Sequence, residues 1–73
     1  MNLNELKVGE EATVSYVDSH LGNIKVMHPV MRLGVISGIK IKKLSSVNTC
    51  SEYMVEGQRI VISKDAAHNI IVV

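Results

Sequence analysis

Phenylalanine and tryptophan are absent from this sequence and tyrosine occurs only twice. A core must therefore be assembled from Val, Ile, Leu and Met, and the Val and Ile content favours strands. The shortage of aromatic rings also leaves little on which nucleic-acid bases could stack. A single cysteine, Cys50, excludes an internal disulfide. A secreted domain this small would usually need such staples, so a reducing cytoplasm is the expected compartment. Neither sign of charge dominates: eight Lys and Arg stand against seven Asp and Glu. Such a balance offers no global field to draw in nucleic acid or an anionic membrane. No stretch approaches the roughly 20 apolar residues of a membrane span, and the N-terminus lacks the basic start and apolar run of a signal peptide. With 73 residues there is room for one hydrophobic core, so one domain is expected over residues 1–73.

What is present reads as short strands joined by turns. Asn2 and Glu5 have the spacing of a capping box, which predicts a short helix near residues 3–8 ended by Gly9. Glu11 to Asp18 alternates, predicting a strand with Ala12, Val14 and Tyr16 on one face and Thr13 and Ser15 on the other. A polar loop follows from Asp18 to Asn23. Pro29 suits a first helical position, so a short helix is expected at residues 29–33 with Gly34 as its stop. Ser37-Gly38 signals a turn, and Ile39-Lys40-Ile41-Lys42 reads as a strand with one wet face. Lys43-Leu44 breaks that phase and marks a bulge. Residues 45–51 read as a loop. The segments Glu52–Glu56 and Arg59–Ile62 then form a hairpin turning at Glu56 to Arg59. Ser63 caps a helical turn over residues 64–68, Asn69 provides a left-handed exit, and Ile70 to Val73 closes as a strand. About five strands in so short a chain predict a mainly β barrel, because closure removes exposed edges.

No catalytic constellation emerges. Ser, His and Asp are scattered, with no nucleophile elbow and no phosphate-cradling glycine loop, so an enzyme is not expected and neither is a small-molecule substrate. The nitrogen and sulfur donors are His20, His28, His68 and Cys50, with Met27, Met31 and Met54 as soft additions. Their spacing matches no metal motif, so neither a metal site nor a cofactor is expected. Lys40 and Lys42 project from one strand face and with Lys43 form the clearest charge feature. They suit an acidic partner, phospholipid headgroups or nucleic acid, or simply a solvated edge that resists aggregation. Met27, Val30, Met31 and Leu33 are more apolar than a short helix can bury against a small barrel. They serve either as a lid over one barrel end or, with Met27 and Met31 adapting their shape, as a docking patch.

The order of motifs resembles a known family. Leu3-Asn4-Glu5-Leu6-Lys7-Val8-Gly9-Glu10-Glu11-Ala12-Thr13-Val14 is similar to the opening of FeoA proteins. Leu33-Gly34-Val35-Ile36-Ser37-Gly38 resembles that family's Leu-Gly turn, with Ser37 in place of a proline. Val55-x-Gly57-x-x-Ile60 and Asp65 to Val72 resemble its closing hairpin, helical turn and strand. Pro29-Val30-Met31-Arg32-Leu33-Gly34 stands where the family commonly has Arg-Leu-x-Glu-Leu-Gly. The resemblance implies an SH3-like barrel. It also implies a cytoplasmic accessory role in ferrous iron uptake, through binding that regulates or assembles a FeoB-type membrane permease. The partner-binding residues expected on this reading are Met27, Val30, Met31, Arg32, Lys40 and Lys42. Similar domains also occur in metal-dependent repressors, so the alternative is a nucleic-acid-binding or regulator-associated barrel.

Overall fold

A computed structural model describes residues 1–17 and 34–73. The chain opens with a 3-10 turn, Leu3–Glu5, followed by β1 (Glu11–Val17), β2 (Lys40–Ser46), β3 (Cys50–Val55), β4 (Gln58–Ser63), the helical turn α1 (Lys64–Ala67) and β5 (Ile70–Val72). All strand pairs are antiparallel, and the sheet order is β4-β3-β2-β1-β5. The mainly β architecture expected from the strand and turn signals is present. The helix expected at residues 29–33 lies outside the described residues.

One strand serves both halves of the sheet. The start of β1 pairs with β2, from Glu11 opposite Lys42 to Thr13 opposite Lys40. Its end pairs with β5, from Val14 opposite Val72 to Val17 opposite Ile70. The changeover falls at Thr13 and Val14. The backbone of Thr13 exchanges hydrogen bonds with Val73 at 3.0 and 2.9 Å, while Val14 N–H donates to the Ile39 carbonyl at 2.8 Å. A register shift between Val14 and Tyr16 accompanies it. Such a bulge inserts a residue and reverses the alternation beyond it. Val14 is buried accordingly, but Tyr16 turns outward and is 52% exposed, while Val17 packs against the core. The shared face expected for Val14 and Tyr16 is thereby corrected.

A second register shift lies between Lys43 and Ser45, where the bulge was expected. Strand pairing also runs further than the expected loop at residues 45–51. Ser45 and Ser46 remain in β2 opposite Glu52 and Ser51, and Cys50 begins β3. The β3–β4 hairpin turns on two residues, with Val55 opposite Gln58 and positive φ at both Glu56 (53°) and Gly57 (76°). That is the type I′ geometry whose twist matches the flanking strands.

The core draws on every strand: Val14, Ile41, Tyr53, Val55, Ile60, Ile62, Ile70 and Val72 are buried. Leu3 and Leu6 close one end with Ala66 and Ala67 of α1. The expected first helix is only the 3-10 turn. Asn2 Oδ1 accepts from Asn4 N–H at 3.0 Å, and the Glu5 carboxylate accepts from Asn2 N–H at 2.9 Å, so the capping box forms. Gly9 leaves in the left-handed region (φ 92°) and donates to the Lys43 carbonyl at 2.8 Å. In α1, Ser63 Oγ accepts from Ala66 N–H at 3.2 Å, and His68 is the C-cap. Among the described residues Glu56 is the one non-glycine residue with positive φ. Asn69 therefore does not make the left-handed exit expected of it and is instead buried.

Candidate partner-binding surface

The two described residues of the expected partner-binding set lie on one exposed strand face. Lys40 and Lys42 stand two apart on β2, and both are exposed. Their cross-strand neighbours define their surroundings: Thr13 lies opposite Lys40, and Lys42 sits between Glu11 of β1 and Met54 of β3. Met54 in turn lies opposite Arg59 of β4, so Glu11, Lys42, Met54 and Arg59 make one row across four strands. Opposite charges paired across strands favour the sheet by roughly 0.2–1 kcal/mol, and Glu11 beside Lys42 has that arrangement. Arg59 Nε approaches the Glu52 carboxylate at 3.7 Å. The face is thus a mixed field in which Lys42 has a carboxylate across from it, Arg59 has one diagonally, and Lys40 has Thr13 opposite.

Lys43 does not belong to this patch. Its position on β2 puts it on the same side as Ile41, opposite Tyr53, and its side chain is 5% exposed. The ammonium runs beneath the N-terminal turn and donates to the Leu6 carbonyl at 2.8 Å and the Asn4 carbonyl at 3.3 Å. Those carbonyls end a helical turn too short to satisfy them internally. Burial, helped by the nearby Lys64 charge, pushes the ammonium below the usual lysine range. The three-lysine patch expected at Lys40, Lys42 and Lys43 is therefore reduced to Lys40 and Lys42, because alternation carries every second side chain inward.

Met27, Val30, Met31 and Arg32 lie outside the described residues, as do His20 and His28. The described chain does show what stands at either end of that segment. Ser37 Oγ donates to the Ser15 carbonyl at 2.7 Å, tying the segment's return to its departure. Tyr16 and Ile36, each next to one of the tied residues, are 52% and 51% exposed. Nothing in the period-2 pattern singles out Tyr16, because the bulge that turns it outward leaves no mark in the composition. Ile36 carries no signal beyond its place before the Ser37-Gly38 turn.

The remaining donors are dispersed. His68 Nδ1 lies 3.4 Å from Asn2 Nδ2, Cys50 is a partly buried free thiol, and Met54 sits in the outer row. Among the described residues no three of His, Cys, Asp and Glu gather as a metal ion would require. No pocket opens among them, so the candidate surface is a face rather than a cleft. No helix among them is long and apolar enough to cross a membrane.

Comparison with known proteins supplies what the geometry lacks. The family model described as the FeoA domain matches residues 1–73. The solution structure of the FeoA protein from Chlorobium tepidum is similar, with 30% identity over 99% of this chain and 68% of that one, at a TM-score of 0.85. The zinc complex of Stenotrophomonas maltophilia FeoA, described as a prokaryotic SH3 domain protein, superposes with a TM-score of 0.87. It is 20% identical over 100% of this chain and 89% of that one. A manganese-dependent transcriptional repressor has the same fold in part of its length, with 15% identity and a TM-score of 0.88 over 100% of this chain and 40% of that one. No curated protein sequence matches.

Proposed function

The chain belongs to the FeoA family, which is associated with ferrous iron transport, and from that premise we propose that it is a non-enzymatic cytoplasmic accessory protein of ferrous iron uptake. On this reading residues 1–73 act as one domain that binds the cytoplasmic part of a FeoB-type permease and regulates or assembles it. The observation that carries the proposal is the FeoA match along the whole described sheet and both ends of the chain. Two features of the surface support it. Lys40 and Lys42 present cations on a strand face to an acidic partner. Tyr16 and Ile36 present apolar surface beside the segment that holds Met27, Val30, Met31 and Arg32.

The test is co-purification with the FeoB-type permease of the same organism, using the wild-type chain and the Met31→Glu and Lys42→Glu variants. Wild-type association that Met31→Glu abolishes and Lys42→Glu weakens in a salt-dependent way is expected. A folded wild-type chain that does not associate, and whose loss leaves ferrous iron uptake unchanged, rejects the proposal. The repressor neighbour keeps one second reading in view, a regulator-associated or nucleic-acid-binding barrel. It is the weaker reading, because Lys43 points inward and Lys42 faces Glu11. Salt-dependent DNA or RNA binding lost on changing Lys40 and Lys42 would favour it.

A further inference from the structure

The two edges of the sheet are finished differently. The β5 edge is covered by the chain itself: Val72 N–H donates to the Met1 carbonyl at 2.8 Å, and Asn2 bridges Ile71. At the other edge stands β4, whose six residues pair with β3 in unbroken register and carry no proline. The hairpin sets the phase of its hydrogen bonds. In a two-residue type I′ turn the flanking pair, Val55 and Gln58, is hydrogen-bonded, and such pairs alternate along an antiparallel ladder. Ile60 and Ile62 therefore bond to β3, while the backbone groups of Arg59 and Val61 and the N–H of Ser63 point away from it. Among the described residues those groups meet no backbone partner.

An edge that the described residues leave open is a template for another strand, which proteins usually blunt with lysine, proline or a bulge. None of these occurs in β4. Its one charge, Arg59, is at the hairpin end and beside Glu52. Its middle outward residue, Val61, is 60% exposed. The strand is also complementary to itself. In an antiparallel pairing with Val61 on a two-fold axis, Val61 exchanges both backbone hydrogen bonds with its own copy. The Ser63 N–H of each chain then reaches the Arg59 carbonyl of the other. Side chains match in the same register: valine meets valine, Arg59 meets Ser63 and Ile60 meets Ile62. No like charges face one another, which is what cross-strand pairing requires. The geometry points to a homodimer formed by antiparallel β4–β4 pairing, which joins two five-stranded sheets into one. Such pairing is an isologous, closed contact that does not propagate into fibres.

Sedimentation of the full chain over a wide concentration range, combined with amide exchange, tests this. The wild-type mass is expected to rise from that of the 8.0 kDa chain to twice it. Val61 and Ser63 amides gain protection in step with dimerisation, whereas Ile60 and Ile62 amides are protected throughout. Val61→Pro removes the edge N–H without touching the β3 ladder. Val61→Lys keeps the backbone but sets like charges across the axis, weakening association by about fivefold. Circular dichroism confirms that each variant folds, and Val61→Lys keeps the test decisive should Val61→Pro disturb the strand. A wild-type chain that stays monomeric at every concentration overturns the inference. So does a dimer that survives both variants, or a Val61 amide already protected in the dilute monomer, which would mean that another part of the chain covers the edge.

Discussion

Lys43 holds the N-terminal turn from below: its ammonium donates to the Leu6 carbonyl at 2.8 Å, and its backbone carbonyl accepts from Gly9 N–H at 2.8 Å. One residue of β2 thus fixes both ends of the segment that leads from the turn into β1. Removing the ammonium leaves carbonyls without their donor, whereas losing the stem opens space beside Tyr53. Lys43→Met is expected to cost about 1 kcal/mol and Lys43→Ala about 2–3 kcal/mol. Lys40→Ala and Lys42→Ala should stay within about 0.5 kcal/mol of wild type. Urea midpoints of the four variants check this, and equal effects at positions 42 and 43 would contradict the inward placement.

The same lysine predicts a rise in stability at alkaline pH. Its folded pKa lies below the ordinary 10.5, so between the two values the unfolded chain holds more protons than the folded one. Stability then increases with pH across that window. Tyr53 acts oppositely. Burial raises its phenol above the ordinary 10.0, so its contribution is complete below 10.0 and is lost as pH climbs through the folded value. In unfolding free energy measured against pH, Lys43 should contribute a rise below 10.5 and Tyr53 a fall above 10.0. Lys43→Met should remove the rise and Tyr53→Phe the fall.

Lys43 also shows where a sequence of this kind stops being legible. Alternation alone locates Val14, Ile41, Tyr53, Val55, Ile60 and Ile62 in the core, and Glu56-Gly57 locates the hairpin, because period 2 and left-handed turn chemistry are local properties. A lysine in phase with Ile41 reads as surface, since nothing local announces that two orphan carbonyls lie within its reach. Tyr16 fails for the complementary reason: its phase depends on a bulge created by the handover from β2 pairing to β5 pairing, a tertiary event. At the candidate surface, Lys40 and Lys42 were legible as neighbours on a wet face. The carboxylate across from Lys42 was not, because Glu11 lies 31 residues before it and meets it only through strand register.

The hairpin turn offers a stabilising substitution. Glu56 has a φ of 53°, which costs an L-residue with a long side chain more than it costs asparagine or glycine. Glu56→Asn, giving the preferred Asn-Gly turn, is expected to stabilise the chain by about 0.5–1 kcal/mol. Gly57→Ala should destabilise it by about 1–2 kcal/mol. Space is not the reason, since a Cβ at Gly57 would meet nothing within 4 Å. Thermal melts of the two variants should therefore move in opposite directions, and a fall for Glu56→Asn would show that Glu56 makes a compensating contact.

The Tyr53 hydroxyl is buried and has no hydrogen-bond partner among the described residues. Ser51, on the same face of β3, is close enough to oppose the rise in the phenol's pKa, but its own hydroxyl donates to Ser46 at 3.3 Å. A buried polar atom left in this state costs about 1–3 kcal/mol relative to a paired one, and its removal together with its polarity is close to neutral or favourable. Tyr53→Phe keeps the ring that fills the space between Lys43 and Ile60 and deletes the unpaired oxygen. It is expected to leave stability unchanged or raise it by up to about 1 kcal/mol. Tyr53→Ala, which also empties the centre of the core, should lose about 3–5 kcal/mol. Denaturant unfolding of the pair separates the two contributions: a loss of 1 kcal/mol or more in Tyr53→Phe would mean that the hydroxyl is satisfied by a buried water and that the polar group itself helps to hold β3 against β2.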